Sequence, residues 1–139
     1  KDILVTSGGK NIAPQPIENK LKTNAFIAEV VMVGNKRHYP AALVIPKFEA
    51  LEKWARAQGL AFGSREELVA LPAVKAHMER EVAGLSEGFA QFERIKKIAL
   101  LPREFSIETG ELTPKLSVKR RVVEEKYKPT IDKLYEGAS

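Results

Sequence analysis

Two apolar, β-branched runs separated by a short turn constrain the fold of this chain more than any other feature. The first run is Phe-Ile-Ala-Glu-Val-Val-Met-Val at residues 26–33, and the second is Ala-Ala-Leu-Val-Ile-Pro at residues 41–46. Such residues favour strands over helices. The segment at residues 34–37, Gly-Asn-Lys-Arg, has the composition of a turn. The pattern predicts two neighbouring antiparallel strands.

Helical patterns and a third strand surround these two runs. The sequence predicts the third strand at residues 95–102. It predicts a helix over about residues 16–23, a second from Phe48 that ends at Gly59, and two more that begin at Ser64 and Pro72. Residues 118–136 are also predicted to be helical, with a break or the start of a new helix at Pro129. Trp54 is interpreted as a core residue on a helix face and His77 as a partly exposed helical residue. The order of elements predicts an α+β domain, with helices packed on a small antiparallel or mixed sheet of at least three strands. With 139 residues, the chain fits one domain spanning residues 1–139.

A glycine turn near the N-terminus predicts a short hairpin before this sheet. Residues 3–6 read as a strand, Gly8 and Gly9 supply the turn, and residues 11–12 return. The Ser-Gly-Gly-Lys sequence at residues 7–10 exposes backbone N–H groups beside an ammonium, which suits a phosphate or an extended ligand. A hairpin turn with an exposed lysine is the commoner outcome of such a sequence.

A second candidate segment reads Thr-Gly-Glu-Leu-Thr-Pro-Lys-Leu-Ser-Val-Lys-Arg-Arg at residues 109–121. Residues 103–116 are rich in turn formers and predict an exposed loop or hairpin. A mobile loop that carries an ammonium before a helix is suited to stabilise negative charge on an acyl phosphate. The alternative is a solvated basic helix start.

Composition narrows the classes of site and partner. The net charge of +5 favours anionic partners. The chain has no cysteine and two histidines, which excludes thiolate sites and gives no reason to expect a metal site. No apolar run approaches the roughly 20 residues of a membrane span, and no signal pattern is present. We therefore expect a cytoplasmic protein and leave peripheral membrane association open.

The first eighteen residues and residues 109–121 together resemble the mobile C-terminal domain of adenylate-forming acyl-CoA synthetases, most closely that of long-chain fatty acid–CoA ligases. The resemblance places the hinge to a large N-terminal domain at Lys1, followed by Asp2. It also implies a loop that lines the coenzyme A side of the active site, formed by Ser7, Gly8, Gly9 and Lys10.

The family's closing motif carries a lysine that inserts into the active site during adenylation. The matching register in this chain holds Ser117, with Lys115 and Lys119 two positions to either side. In an extended loop, residues two apart point to the same side, so either lysine would deliver its charge to nearly the same place. We favour Lys115 and keep Lys119 open. A third possibility is that neither works and the domain is impaired.

The resemblance implies ATP-dependent activation of a fatty acid to an acyl-adenylate, followed by transfer to coenzyme A. ATP and coenzyme A are substrates, and Mg²⁺ accompanies ATP, bound mainly by the N-terminal adenylation domain. This chain alone is expected to be inactive. The alternatives are a ligase for another carboxylic acid and a freestanding basic nucleic-acid-binding module. We expect no nucleic-acid partner, because the aromatic side chains lie in apolar contexts rather than among basic residues.

Overall fold

The computed structural model describes residues 2–137 and contains two sheets. The smaller sheet is the expected N-terminal hairpin, in which β1 (Leu4–Val5) pairs antiparallel with β2 (Asn11–Ile12). The larger sheet has the strand order β3–β4–β5, formed by β3 (Ile27–Val33), β4 (Ala41–Pro46) and β5 (Lys97–Leu100). The α+β prediction is confirmed.

The larger sheet is mixed. Strand β3 runs antiparallel to β4, in a register that pairs Val31 with Leu43. Strand β5 runs parallel to β4, with Ala41 opposite Lys97. A parallel neighbour needs a long crossover connection, which the helices between β4 and β5 provide. Every residue of β4 is buried, because this strand lies in the middle of the sheet.

Most of the helices begin at a proline or after a capping side chain, whereas those that begin at Phe48 and Arg120 have neither. Their bounds are α1 (Pro14–Leu21), α2 (Phe48–Ala57), α3 (Arg65–Ala70), α4 (Pro72–Leu85), α5 (Arg120–Lys126) and α6 (Lys128–Leu134). Helix α1 starts two residues before the expected Pro16, since a proline is tolerated throughout the first turn. The Ser64 side chain accepts the Glu67 N–H at 3.1 Å and caps α3. Pro129 lies in the first turn of α6, as expected.

One expectation about the core is wrong. His77 is 8% exposed rather than partly exposed. Its ring stacks on Trp54 with centroids 3.9 Å apart and meets Phe26 edge-on at 4.7 Å. Within the described residues, its Nε2 has no hydrogen-bond partner. The aromatic contacts come from β3 and α2, which the helical pattern of α4 alone does not reveal.

The buried imidazole predicts a pH-dependent stability. Burial lowers the pKa of His77 below 6.5; among the smaller effects, Glu81 raises this pKa and Arg80 lowers it. The imidazole therefore binds a proton more tightly in the unfolded chain than in the folded chain. As a result, the free energy of unfolding falls as pH drops below about 6.5. We expect His77→Phe to remove this part of the pH dependence. Urea unfolding at about pH 7.5 and about pH 5.5 measures it.

His38 provides the matched control for this prediction, because its side chain is exposed. His38→Gln should keep the difference between the two pH values. An unchanged difference in His77→Phe would contradict the account.

Candidate functional site

The glycine turn, defined here as residues 6–10, closes the N-terminal hairpin with its own hydrogen bonds. The Thr6 N–H donates to the Lys10 carbonyl at 3.0 Å, and the Gly9 N–H donates to the Thr6 carbonyl at 2.9 Å. The Thr6 hydroxyl accepts the Lys10 N–H at 3.1 Å. Gly9 has a φ of 84°, a conformation that favours glycine. The turn therefore has a defined shape before any ligand approaches.

The glycine turn is attached to the segment that joins β3 and β4. The Ser7 N–H donates to the Arg37 carbonyl at 2.8 Å, and the Lys36 N–H donates to the Val5 carbonyl at 2.7 Å. The Ser7 hydroxyl lies 3.1 Å from Nδ1 of His38. These contacts connect the small hairpin to the larger sheet, so the turn moves with the domain.

Gly8 presents its backbone to solvent at the tip of this turn. An added Cβ at Gly8 would have the Thr6 hydroxyl oxygen as its nearest neighbour, at 4.0 Å. The domain itself therefore has room for a side chain at Gly8. The Lys10 ammonium lies 5.3 Å from the centre of the Phe92 ring and is exposed.

The lysine turn, defined here as residues 113–117, is tightly folded. The Thr113 hydroxyl accepts the N–H groups of Lys115 at 3.2 Å and Ser117 at 3.1 Å. Leu116 has a φ of 65° and is 65% exposed. The flanking residues Leu112 and Val118 form an antiparallel bridge. Of the two predicted forms, an exposed loop or an exposed hairpin, the structure has the hairpin, and it projects from the domain.

This geometry corrects the assumption that the lysine loop is extended. Lys115 lies within the turn, whereas Lys119 follows the bridge and directly precedes α5. The two side chains therefore do not share one side of an extended strand. Both are exposed, and neither forms an ion pair with a residue in the described range 2–137.

A buried carboxylate lies beneath the lysine turn. Glu111 is 2% exposed and accepts the Ser106 N–H at 3.1 Å, together with the Thr109 hydroxyl and the Lys126 ammonium. Burial alone would raise its pKa, but the hydrogen bonds from Lys126, Thr109 and Ser106 more than offset this and lower the pKa to about 2. Sequence reasoning missed Glu111, because its ammonium partner belongs to a separate helix.

Arg120 joins three parts of the domain. Its guanidinium donates to both carboxylate oxygens of Glu18, at 2.9 Å and 3.0 Å, to the Met32 carbonyl at 2.9 Å and to Asp2 at 3.2 Å. Glu18 is 7% exposed and also accepts the Met32 N–H at 2.7 Å. The expected hinge residue Asp2 is therefore in contact with the residue that follows Lys119. Lys1, the other expected hinge residue, lies outside the described residues.

The two turns lie at different places on the domain. The glycine turn hydrogen-bonds through Ser7 to Arg37 and His38, which follow the end of β3. Leu116, Ser117 and Val118 instead share a polar cavity of about 290 Å³ with the Glu29–Val31 side of the strand, lined also by Asp2, Gln15, Glu18, Asn19, Lys22 and Arg120. Among residues 2–137, no cluster of His, Asp or Glu is arranged to hold a metal ion. Nor is any helix in that range both long and apolar enough to cross a membrane.

The buried ion pair predicts a large stability effect. Arg120→Met leaves the buried Glu18 carboxylate without its partner, which costs about 3–5 kcal/mol of unfolding free energy. Urea unfolding measures the loss. Arg121→Met is the matched control, because Arg121 is exposed, and it should change stability by no more than about 0.5 kcal/mol. Equal stability of the two variants would contradict the role assigned to Arg120.

Comparison with known proteins places this geometry in a family. The family model described as "AMP-binding enzyme C-terminal domain" matches residues 1–139. The chain is 36% identical over 136 residues to the long-chain-fatty-acid–CoA ligase FadD15 of Mycobacterium tuberculosis, covering 97% of this chain and 23% of that protein. It is 35% identical over 138 residues to human long-chain-fatty-acid–CoA ligase 1, covering 97% of this chain and 20% of that protein.

Solved structures agree on the fold. The A domain of a carboxylic acid reductase from Segniliparus rugosus, solved with AMP and a co-purified carboxylic acid, superimposes with a TM-score of 0.79 at 23% identity, covering 99% of this chain and 20% of that one. At this identity the likeness shows the fold alone. The chain spans about a fifth of the length of these proteins. It belongs to the family of C-terminal domains of AMP-binding, adenylate-forming enzymes.

Proposed function

We propose that the protein carrying this chain is a long-chain fatty acid–CoA ligase. In the first half-reaction, the fatty acid carboxylate attacks the α-phosphate of ATP, giving acyl-adenylate and pyrophosphate. In the second, the coenzyme A thiol attacks the acyl carbon, gives up its proton and displaces AMP, which leaves acyl-CoA. The observation that carries the proposal is the pair of exposed turns at different places on the domain, in a chain related over 97% of its length to such ligases.

In the adenylation half-reaction, the lysine turn supplies a positive charge. Lys115 or Lys119 contacts the carboxylate and the α-phosphate, where negative charge develops. The exposure of both side chains supports this role, and so does the projection of the turn from the domain. Lys115 is favoured, because it lies within the projecting turn itself, whereas Lys119 lies directly before the first residue of α5.

In the thioester-forming half-reaction, the glycine turn faces the pantetheine arm of coenzyme A. Ser7, Gly8, Gly9 and Lys10 line its path, and Gly8 lets the backbone approach the ligand closely. The open space around Gly8 and the fixed shape of the turn support this role. The two turns then serve the two half-reactions in succession, as the domain rotates about a hinge at residues 1–2.

The remaining machinery belongs to a large N-terminal adenylation domain. That domain holds the acyl chain and most of ATP, together with the Mg²⁺ that accompanies ATP, and this chain alone is inactive. We place the enzyme in the cytoplasm, where peripheral association with a membrane would give access to long-chain fatty acids. Since acyl selection lies in the N-terminal domain, a ligase for another carboxylic acid remains the second candidate, and a panel of acids in the assay below separates the two.

The test compares Lys115→Ala and Lys119→Ala in the full-length enzyme. Fatty acid-dependent pyrophosphate exchange measures adenylation, and acyl-CoA formation from supplied acyl-adenylate measures the second step. We expect the variant that lacks the working lysine to lose exchange by about 100-fold or more, as when a group that stabilises transition-state charge is removed, and to keep thioester formation. Lys53→Ala, which removes an exposed lysine from α2, is the control.

Full exchange in both single variants and in the double variant would contradict the assignment of either lysine. Absence of exchange in the unmodified enzyme with every acid of the panel would contradict the proposed function itself.

A further inference from the structure

The buried Glu111 fixes the base of the lysine turn on both sides. Its carboxylate binds Ser106 and Thr109, which precede the turn, and Lys126, at the end of α5. Its backbone carbonyl accepts the Lys119 N–H at 2.7 Å, at the start of α5. Glu111 therefore connects both ends of α5 to the loop.

The Lys126 ammonium completes this attachment. Besides Glu111, it donates to the Thr109 carbonyl at 3.0 Å, so it crosslinks α5 to the loop by side-chain and backbone contacts. Glu111 is 2% exposed, whereas the Lys126 side chain is 42% exposed, so the cost of breaking the pair is that of leaving a buried carboxylate without its partner. With a pKa of about 2, Glu111 stays ionised throughout the physiological range and acts as a constant anchor.

The lysine turn has little else to hold it. Within the described residues, every hydrogen bond that residues 113–117 make is internal to the turn, through the Thr113 carbonyl, N–H and hydroxyl. The turn meets the rest of the domain through the bridge between Leu112 and Val118. Leu112 directly follows Glu111, and its N–H donates to the Ser106 carbonyl at 3.2 Å. The direction in which the turn projects is thus set at Glu111.

We propose that Glu111, through its ion pair with Lys126, is a positioning residue for the adenylation half-reaction. Glu111 orients the lysine turn, which carries Lys115, and the start of α5, which Lys119 directly precedes. The proposal rests on the proposed function. The proposal predicts different effects on the two half-reactions, because the glycine turn is held by other contacts, with Arg37 and His38.

The experiment uses three variants of the full-length enzyme: Glu111→Gln, Lys126→Met and the double variant. A misplacement of about 1 Å costs on the order of 100-fold in rate, so we expect the kcat of pyrophosphate exchange to fall about 10- to 100-fold. The KM for ATP should change much less, and thioester formation from supplied acyl-adenylate should stay within about twofold. The double variant should be no slower in exchange than the slower single variant, since all three remove the same contact.

Folding is controlled in two ways. The double variant leaves no unpaired buried charge, so it should fold even if a single variant does not. Lys128→Met is the matched control, because it removes a neighbouring lysine whose ion pair with Asp132 is exposed, at 3.1 Å. This control variant should retain the rates of both half-reactions.

Two results would overturn the positioning role while leaving the proposed function intact. One is exchange within about twofold of the unmodified enzyme in the double variant. The other is an equal loss of both half-reactions together with a lowered unfolding midpoint, which is the behaviour of a residue that only stabilises the fold. An unmodified enzyme without exchange would instead remove the proposed function, and the positioning role with it.

Discussion

The ion pair between Glu18 and Arg120 is the interaction on which the arrangement of this domain depends. The two residues are 102 positions apart in the chain. At the edge of β3, the Met32 N–H and carbonyl face away from β4, and the Glu18 carboxylate and the Arg120 guanidinium bind them as a neighbouring strand would. The pair therefore satisfies buried backbone groups and blocks further strand pairing at this point.

Of the two exposed turns, only the lysine turn lies next in the chain to this ion pair. Arg120 is the first residue of α5, so its contacts fix the helix that begins beside Lys119. The glycine turn is attached independently, through the segment after β3. A rigid domain that presents two turns in different places can change which turn faces a partner domain by rotating as a whole. In the proposed mechanism, neither turn therefore needs to refold between the two half-reactions.

The sequence predicts those helices and strands whose positions are determined by the residues within them. The Ala41–Pro46 strand follows from an unbroken apolar run, and the start of α4 follows from Pro72. The resemblance to the family came from motifs at the two ends of the chain. The buried ion pairs of Glu111 and Arg120 were not predicted, because each joins residues from separate elements. The burial of His77 was missed for the same reason, and the compact lysine turn results from the Thr113 side chain and a positive φ at Leu116.

The most direct test of the central claim, that the two turns serve different half-reactions, is acyl-CoA formation from supplied acyl-adenylate by the full-length Gly8→Ala variant. The domain accommodates the added methyl group, so under the proposed mechanism the substitution obstructs only the close approach of coenzyme A. We predict that this step slows about tenfold or more, while pyrophosphate exchange is unchanged. Gly84→Ala, at an open position in α4, should retain both steps. Normal thioester formation in Gly8→Ala, or an equal loss of exchange, would contradict the division of work between the two turns.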